Sequence, residues 1–155
     1  MKTMIILFVL AWQGAAGLLF AQKLTLEVRG FEAIKGRLNV AFYHSQETFM
    51  KEPLATFRVD VVAPTLSIPC KGLPAGAYAV ALFQDENGND KLDTTAFGAP
   101  TEKYGFSNDA RGVMGPPSYD KCVFYFTQDT TLVVQVGMQE PAGFLIKKGR
   151  EVKLL

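Results

Sequence analysis

Outside the stretch Asp85 to Ser118, the chain from Lys23 to Gly137 falls into short segments, most of which alternate apolar and polar positions with a period of two. Leu24, Leu26 and Val28 fall on one face of Lys23 to Arg29, with Thr25 and Glu27 on the other. Successive side chains of a strand point to opposite sides, so this reads as a half-buried strand. Arg37 to Tyr43 repeats the pattern with Leu38, Val40 and Phe42, and Gly30 to Gly36 is the turn between the two. Thr56 to Val62 sets Phe57, Val59 and Val61 against Arg58 and Asp60. Pro64 interrupts, and Thr65 to Cys70 resumes with Leu66 and Ile68. After the turn Gly72 to Gly76, Ala77 to Gln84 is apolar on both faces and reads as a central strand. Tyr119 to Phe126 and Thr131 to Gly137 read as a last hairpin around Gln128-Asp129. Short strands separated by turn signals predict an all-β fold, a seven-stranded antiparallel β-sandwich with one long loop between the fifth and sixth strands. One helical turn is expected at Ser45 to Met50, with Ser45 as its cap.

The long loop, Asp85 to Ser118, has no extended apolar periodicity and is rich in Gly and Pro. Ordering such a segment carries a large entropy cost, and loops of that length are usually functional or held by something besides a core. It opens with Asp85-Glu86-Asn87-Gly88-Asn89-Asp90-Lys91-Leu92-Asp93. Side-chain oxygens at Asp85, Asn87, Asn89 and Asp93, with the Lys91 carbonyl, match the first, third, fifth, ninth and seventh positions of a calcium loop. Ca2+ is the cofactor this spacing suggests. The twelfth position, Ala96, lacks the usual bidentate carboxylate, so Glu86, Glu102 or Asp109 would have to complete the set and affinity should be weak. The same residue types also build a solvated turn without metal.

The chain has 155 residues and one domain is expected. Residues 1–21 read as a secretory signal peptide: Lys2, an apolar run from Met4 to Trp12, and small residues before an Ala21-Gln22 junction. The domain would then occupy 22–138. Export to the periplasm or the extracellular space follows, with no membrane span after cleavage. The absence of a Cys after the apolar run argues against a lipoprotein. Lys plus Arg number 16 and Asp plus Glu 15, which removes the electrostatic case for nucleic acid. Cys70 and Cys122 share strand parity with core positions, so they would be either a disulfide or two buried thiols. The tail 139–155 is basic through Lys147, Lys148, Arg150 and Lys153, and Gly143 to Lys148 could add an edge strand.

One ordered set of motifs runs through the middle of the chain. Gly72-Leu73-Pro74-Ala75-Gly76-Ala77-Tyr78-Ala79-Val80 leads into Asp85-Glu86-Asn87-Gly88-Asn89. Leu92-Asp93-Thr94, Gly98-Ala99-Pro100-Thr101-Glu102, Tyr104-Gly105-Phe106-Ser107-Asn108 and Gly115-Pro116-Pro117-Ser118-Tyr119 follow. The set resembles the bacterial exported family catalogued as domain of unknown function 2141, over roughly Leu24 to Val136. The resemblance implies a small signal-bearing β-sandwich, prealbumin-like or immunoglobulin-like, and no activity. The family usually has Gly where this chain has Asp90. A Gly there would resemble the central Gly of calcium loops, and Asp is among the few residues that enter the left-handed region readily.

The expected function is therefore an exported, non-enzymatic binding or structural module with a weak Ca2+ site ordering 85–118. A second reading is a metal-independent domain that grips a glycan, peptide or cell-surface protein through Tyr104, Phe106 and Asn108. Against it, a loop of this length needs a small core of its own, and Tyr104, Phe106 and Tyr119 are the residues to supply it. A hydrolase built on loop carboxylates such as Glu86 and Glu102 ranks last. His44 beside Ser45 is not a catalytic pair, because neighbours in a strand face opposite ways.

Overall fold

A computed structural model describes residues 22–113 and 115–137. The expected signal peptide and the tail from 139 lie outside the described residues. Eight strands form two sheets: β1 (Leu24–Arg29), β2 (Arg37–Tyr43), β3 (Ala55–Asp60), β4 (Thr65–Cys70), β5 (Gly76–Asp85), β6 (Tyr104–Phe106), β7 (Phe124–Phe126) and β8 (Thr130–Gln135). One sheet has the order β4-β1-β8. The other has the order β3-β2-β5-β6, with β7 also paired to β5.

The alternation read from the chain decides what is buried. Leu24, Leu26 and Val28 of β1 and Leu66, Ile68 and Cys70 of β4 join Leu38, Val40 and Phe42 of β2 and Tyr78, Val80 and Leu82 of β5 in one core between the sheets. Burial of these side chains is the main stabilising term, at roughly 1.5–3 kcal/mol each. The apolar character of both β5 faces has a direct cause. While Tyr78, Val80 and Leu82 enter that core, Ala79 and Ala81 enter a second, smaller cluster on the outer face with Phe106, Ala110 and Cys122. Phe49, from the turn after β2, covers this cluster through edge contacts to Tyr43 and Tyr119 and a tilted contact to Phe106. That turn closes with a Phe49 N–H to Ser45 carbonyl bond of 3.1 Å, and the Ser45 hydroxyl accepts from the Thr48 amide.

Four expectations are corrected. There are eight strands among the described residues, because β6 forms inside the long loop and pairs with β5 through Leu82 and Gly105. The expected strand Tyr119 to Phe126 is split into a helical turn α1 (Tyr119–Cys122) and the short β7. The last two strands are not a hairpin, and the fold is not wholly antiparallel. β7 joins β5 in one sheet, whereas β8 runs parallel to β1 in the other, with Leu26 opposite Leu132. The crossover is possible because the turn at Thr127 to Asp129 carries the chain from one layer to the other, and β1 offers a free edge opposite β4.

The two cysteines sit on opposite sides of the β2–β5 sheet. Cys70 belongs to the core between the sheets and Cys122 to the outer cluster, and both are free thiols. Burial pushes each thiol up to about 11.

Candidate functional site

Asp85 ends β5 and is fully buried. One of its carboxylate oxygens accepts from the Gly88 and Asn89 amides at 2.7 and 3.2 Å, the other from the Asp90 amide at 2.9 Å. Burial pushes this carboxyl up, but the three amide N–H groups and the Arg37 guanidinium outweigh it and hold it below the ordinary carboxylate value. Asn87 and Asn89 each accept the amide two residues on, at 3.1 and 2.9 Å. Their side-chain NH2 groups meet on the two oxygens of Asp93 at 2.6 and 2.8 Å. Asp90 occupies the left-handed region, with φ of 61°. The sixth position thus adopts the conformation that calcium loops assign to Gly.

Asn87, Asn89 and Asp93 converge, while Asp85 is turned inward as a cap and Lys91 is exposed. Glu102, well ahead in sequence, closes the loop. Its two oxygens accept from the Glu86 amide at 2.9 Å and the Asp93 amide at 3.0 Å, one on each shoulder of the turn, and it is 6% exposed. Among the described residues no group of three or more His, Cys, Asp or Glu side chains is gathered in a way that could hold a metal ion. The other carboxylates of a hydrolase reading are also engaged. Glu86 pairs with Lys35 at 2.7 Å, and Asp109 accepts from the Gln135 amide at 2.9 Å.

The Tyr104 to Asn108 segment is a seam between the two sheets. Tyr104 bridges to Gly137 at the end of the β8 chain, with a Gly137 N–H to Tyr104 carbonyl bond of 3.1 Å. Gly105 lies directly under the β8 backbone, where an added Cβ would stand 2.3 Å from the Gln135 carbonyl oxygen. Phe106 is buried and Tyr104 half-buried. Asn108, at φ of 60°, spends its amide on the carbonyls of Lys121 and Val123 at 3.2 and 2.9 Å. The small core expected for the long loop is present and includes Tyr104, Phe106 and Tyr119.

Register on the outer face of the β3-β2-β5-β6 sheet leaves a hollow. Ala41 lies opposite Ala81, with Thr56 beyond, in the row between two bulkier ones. The next row holds Arg58, Asn39, Phe83 and Tyr104, and Tyr43 with Met50 closes the other side. The result is a groove of about 300 Å3 with a largely apolar lining. Its far wall is Asp90 and Leu92 of the acidic loop, and Asp90 faces Arg58 at 3.7 Å. Sequence reasoning missed the groove. Its sequence signal is the small side chain of Ala41 in β2 and the alternating alanines of β5, of which Ala81 lines the groove.

These features define a class: a small, all-β, two-sheet protein with an ordered acidic loop beside an aromatic-rimmed groove. Residues 26–134, more than half of the chain, match the family described as an uncharacterized protein conserved in bacteria, DUF2141. The chain belongs to that family. No curated protein and no solved structure matches it. No helix among the described residues is long and apolar enough to cross a membrane.

Proposed function

We propose that the protein is an exported, non-enzymatic module, a β-sandwich of the immunoglobulin-like or prealbumin-like kind, whose groove over the outer sheet face is a recognition surface. The observation that carries this reading is the groove itself. A concave apolar face with a few polar groups at its rim is the usual form of a binding site. The engagement of Asp85, Glu86, Glu102 and Asp109 in hydrogen bonds or ion pairs supports a role without catalysis. Anilinonaphthalene sulfonate, an apolar fluorophore with one anionic group, tests it. The native protein should enhance its emission, and Ala81→Trp, which fills the groove, should abolish the enhancement. Equal emission from both proteins, or none, would refute the reading.

A second element of the proposal is Ca2+ uptake by the 85–93 loop. It is favoured by the left-handed Asp90 and by the convergence of Asn87, Asn89 and Asp93. A cation there would replace the two amide donors on Asp93 and reinforce one groove wall. With few carboxylates free, Kd should fall in the range of ~0.1–1 mM. Thermal unfolding in excess EDTA and in Ca2+ at ten times Kd should differ by about 1.4 kcal/mol. Asp93→Ala should remove the difference. An unchanged midpoint across Ca2+ concentrations would discard the metal and leave the groove reading intact.

A further inference from the structure

We propose that the groove receives the Phe97 side chain of a second copy of this chain, so that two copies associate by exchanging loop tips. The inference rests on the groove being an open recognition surface and names its occupant.

Phe97 is 99% exposed, the most exposed of the large apolar side chains described. It is carried by a closed turn. The Thr95 amide donates to the Ala99 carbonyl at 2.8 Å, the Gly98 amide to the Thr95 carbonyl at 2.9 Å, and the Ala99 amide to the Thr95 hydroxyl at 3.2 Å. Thr94 bridges to Pro100, and the Thr101 amide donates to the Asp93 carbonyl at 2.8 Å. A benzyl group held outward on such a support loses little freedom on docking, which is how preorganised anchors gain affinity.

The groove, at about 300 Å3, lies at the lower limit of small-molecule sites, a size that suits one aromatic side chain better than an extended glycan. Tip and groove also share a support. Leu92 lines the groove, and the next residue, Asp93, is the base of the turn that carries Phe97. A two-fold axis beside this loop sets each tip against the other copy's groove and closes the assembly at two. With 16 basic and 15 acidic residues, copies do not repel strongly at long range. An assembly held by two single-side-chain contacts is expected to be weak and to show itself only at high protein concentration.

Sedimentation equilibrium of the purified protein from about 10 μM to about 1 mM covers the range in which a contact of this size associates. The mean mass should rise toward that of a dimer. Phe97→Ser, at a fully exposed position, and Ala81→Trp should each remain monomeric at concentrations where the parent is paired. If Ala81→Trp does not fold, Leu92→Asp on the groove wall replaces it. An equimolar mixture of the tip variant and the groove variant should recover part of the mass shift, since one keeps a groove and the other a tip. A parent monomeric throughout, a shift that survives in either variant, or a mixture no different from its components would overturn the proposal. So would pairing that appears only when residues 138–155 are removed, which would make that segment the occupant. Phe97-dependent sedimentation with phosphatidylcholine vesicles by a monomeric protein would likewise overturn it and assign the tip to a lipid surface. Fluorophore uptake without self-association discards the second copy and keeps the groove. Loss of both discards the recognition surface as well.

Discussion

The hydroxyl of Ser107 stands 2.8 Å from the backbone nitrogen of Val80 and accepts its hydrogen bond. The position is specific. β7 pairs with β5 up to Tyr78 and β6 pairs with it from Ala81, so the edge of β5 is left open between them. Ser107 fills that opening, and its own proton goes to the Cys122 carbonyl at 2.6 Å. One side chain joins two short strands into the equivalent of one. Ser107→Ala would leave a buried amide and a buried carbonyl without partners, each costing about 1–3 kcal/mol. Urea unfolding should show a loss of about 2–4 kcal/mol, a large part of a small domain's stability.

Glu102 does comparable work at the acidic loop. Its carboxylate bridges the amides of Glu86 and Asp93, so Glu102→Gln keeps one acceptor and loses the other together with the charge. The expected loss is about 1–3 kcal/mol, with faster hydrogen exchange at the Glu86 and Asp93 amides. Glu52→Gln is the control. Glu52 is exposed on the turn after β2, and its replacement should stay within about 0.5 kcal/mol of the parent.

The depressed carboxyl of Asp85 makes the loop acid-sensitive. A carboxyl whose folded value lies below its unfolded value contributes stability that is fully present above the unfolded value, about 3.9, and is lost as pH falls through the folded one. Melting curves of the parent and Asp85→Asn should therefore differ most at neutral pH. The gap should close below about pH 4, as the parent's carboxylate takes up a proton and no longer outperforms the neutral amide. A gap that stays constant from pH 7 to about pH 2 would contradict this role for the charge.

The separation of Cys70 and Cys122 across a sheet has a simple readout. Reducing agent should leave the melting temperature unchanged, and mass spectrometry of the unfolded, alkylated protein should find two modified thiols. In the folded protein at pH 8, thiols held at about 11 are ionised in roughly one molecule per thousand. Alkylation should then be limited by transient unfolding rather than by reagent.

Much of the chain was legible residue by residue. Leu24, Leu26 and Val28, Leu38, Val40 and Phe42, and Leu66, Ile68 and Cys70 are buried as their alternation predicts, because a strand's period of two is local geometry. The acidic loop was legible for the same reason. Asp85 caps amides no more than five residues away, and the turn residues Gly88 and Asp90 supply the positive φ it needs. The calcium spacing was also visible, whereas the inward turn of Asp85 and the closure by Glu102 were not.

What the tertiary structure decided is pairing between distant segments. The parallel union of β8 with β1 places Asp129 on the Lys23 amide, 106 residues away. No local pattern distinguishes that partner from the hairpin partner expected, because a strand's own alternation says which face is buried and not which edge is free. Gly105 is required chiefly because the end of β8 crosses it, with the Leu82 side chain also close. The groove exists only because the β2–β5 register sets Ala41 against Ala81. Phe97 reads in sequence as one more apolar residue, and its exposure depends on where the closed turn beneath it points. Local periodicity is written in the order of the residues. Edges, crossings and hollows follow from the balance of backbone hydrogen bonding and burial over the whole chain.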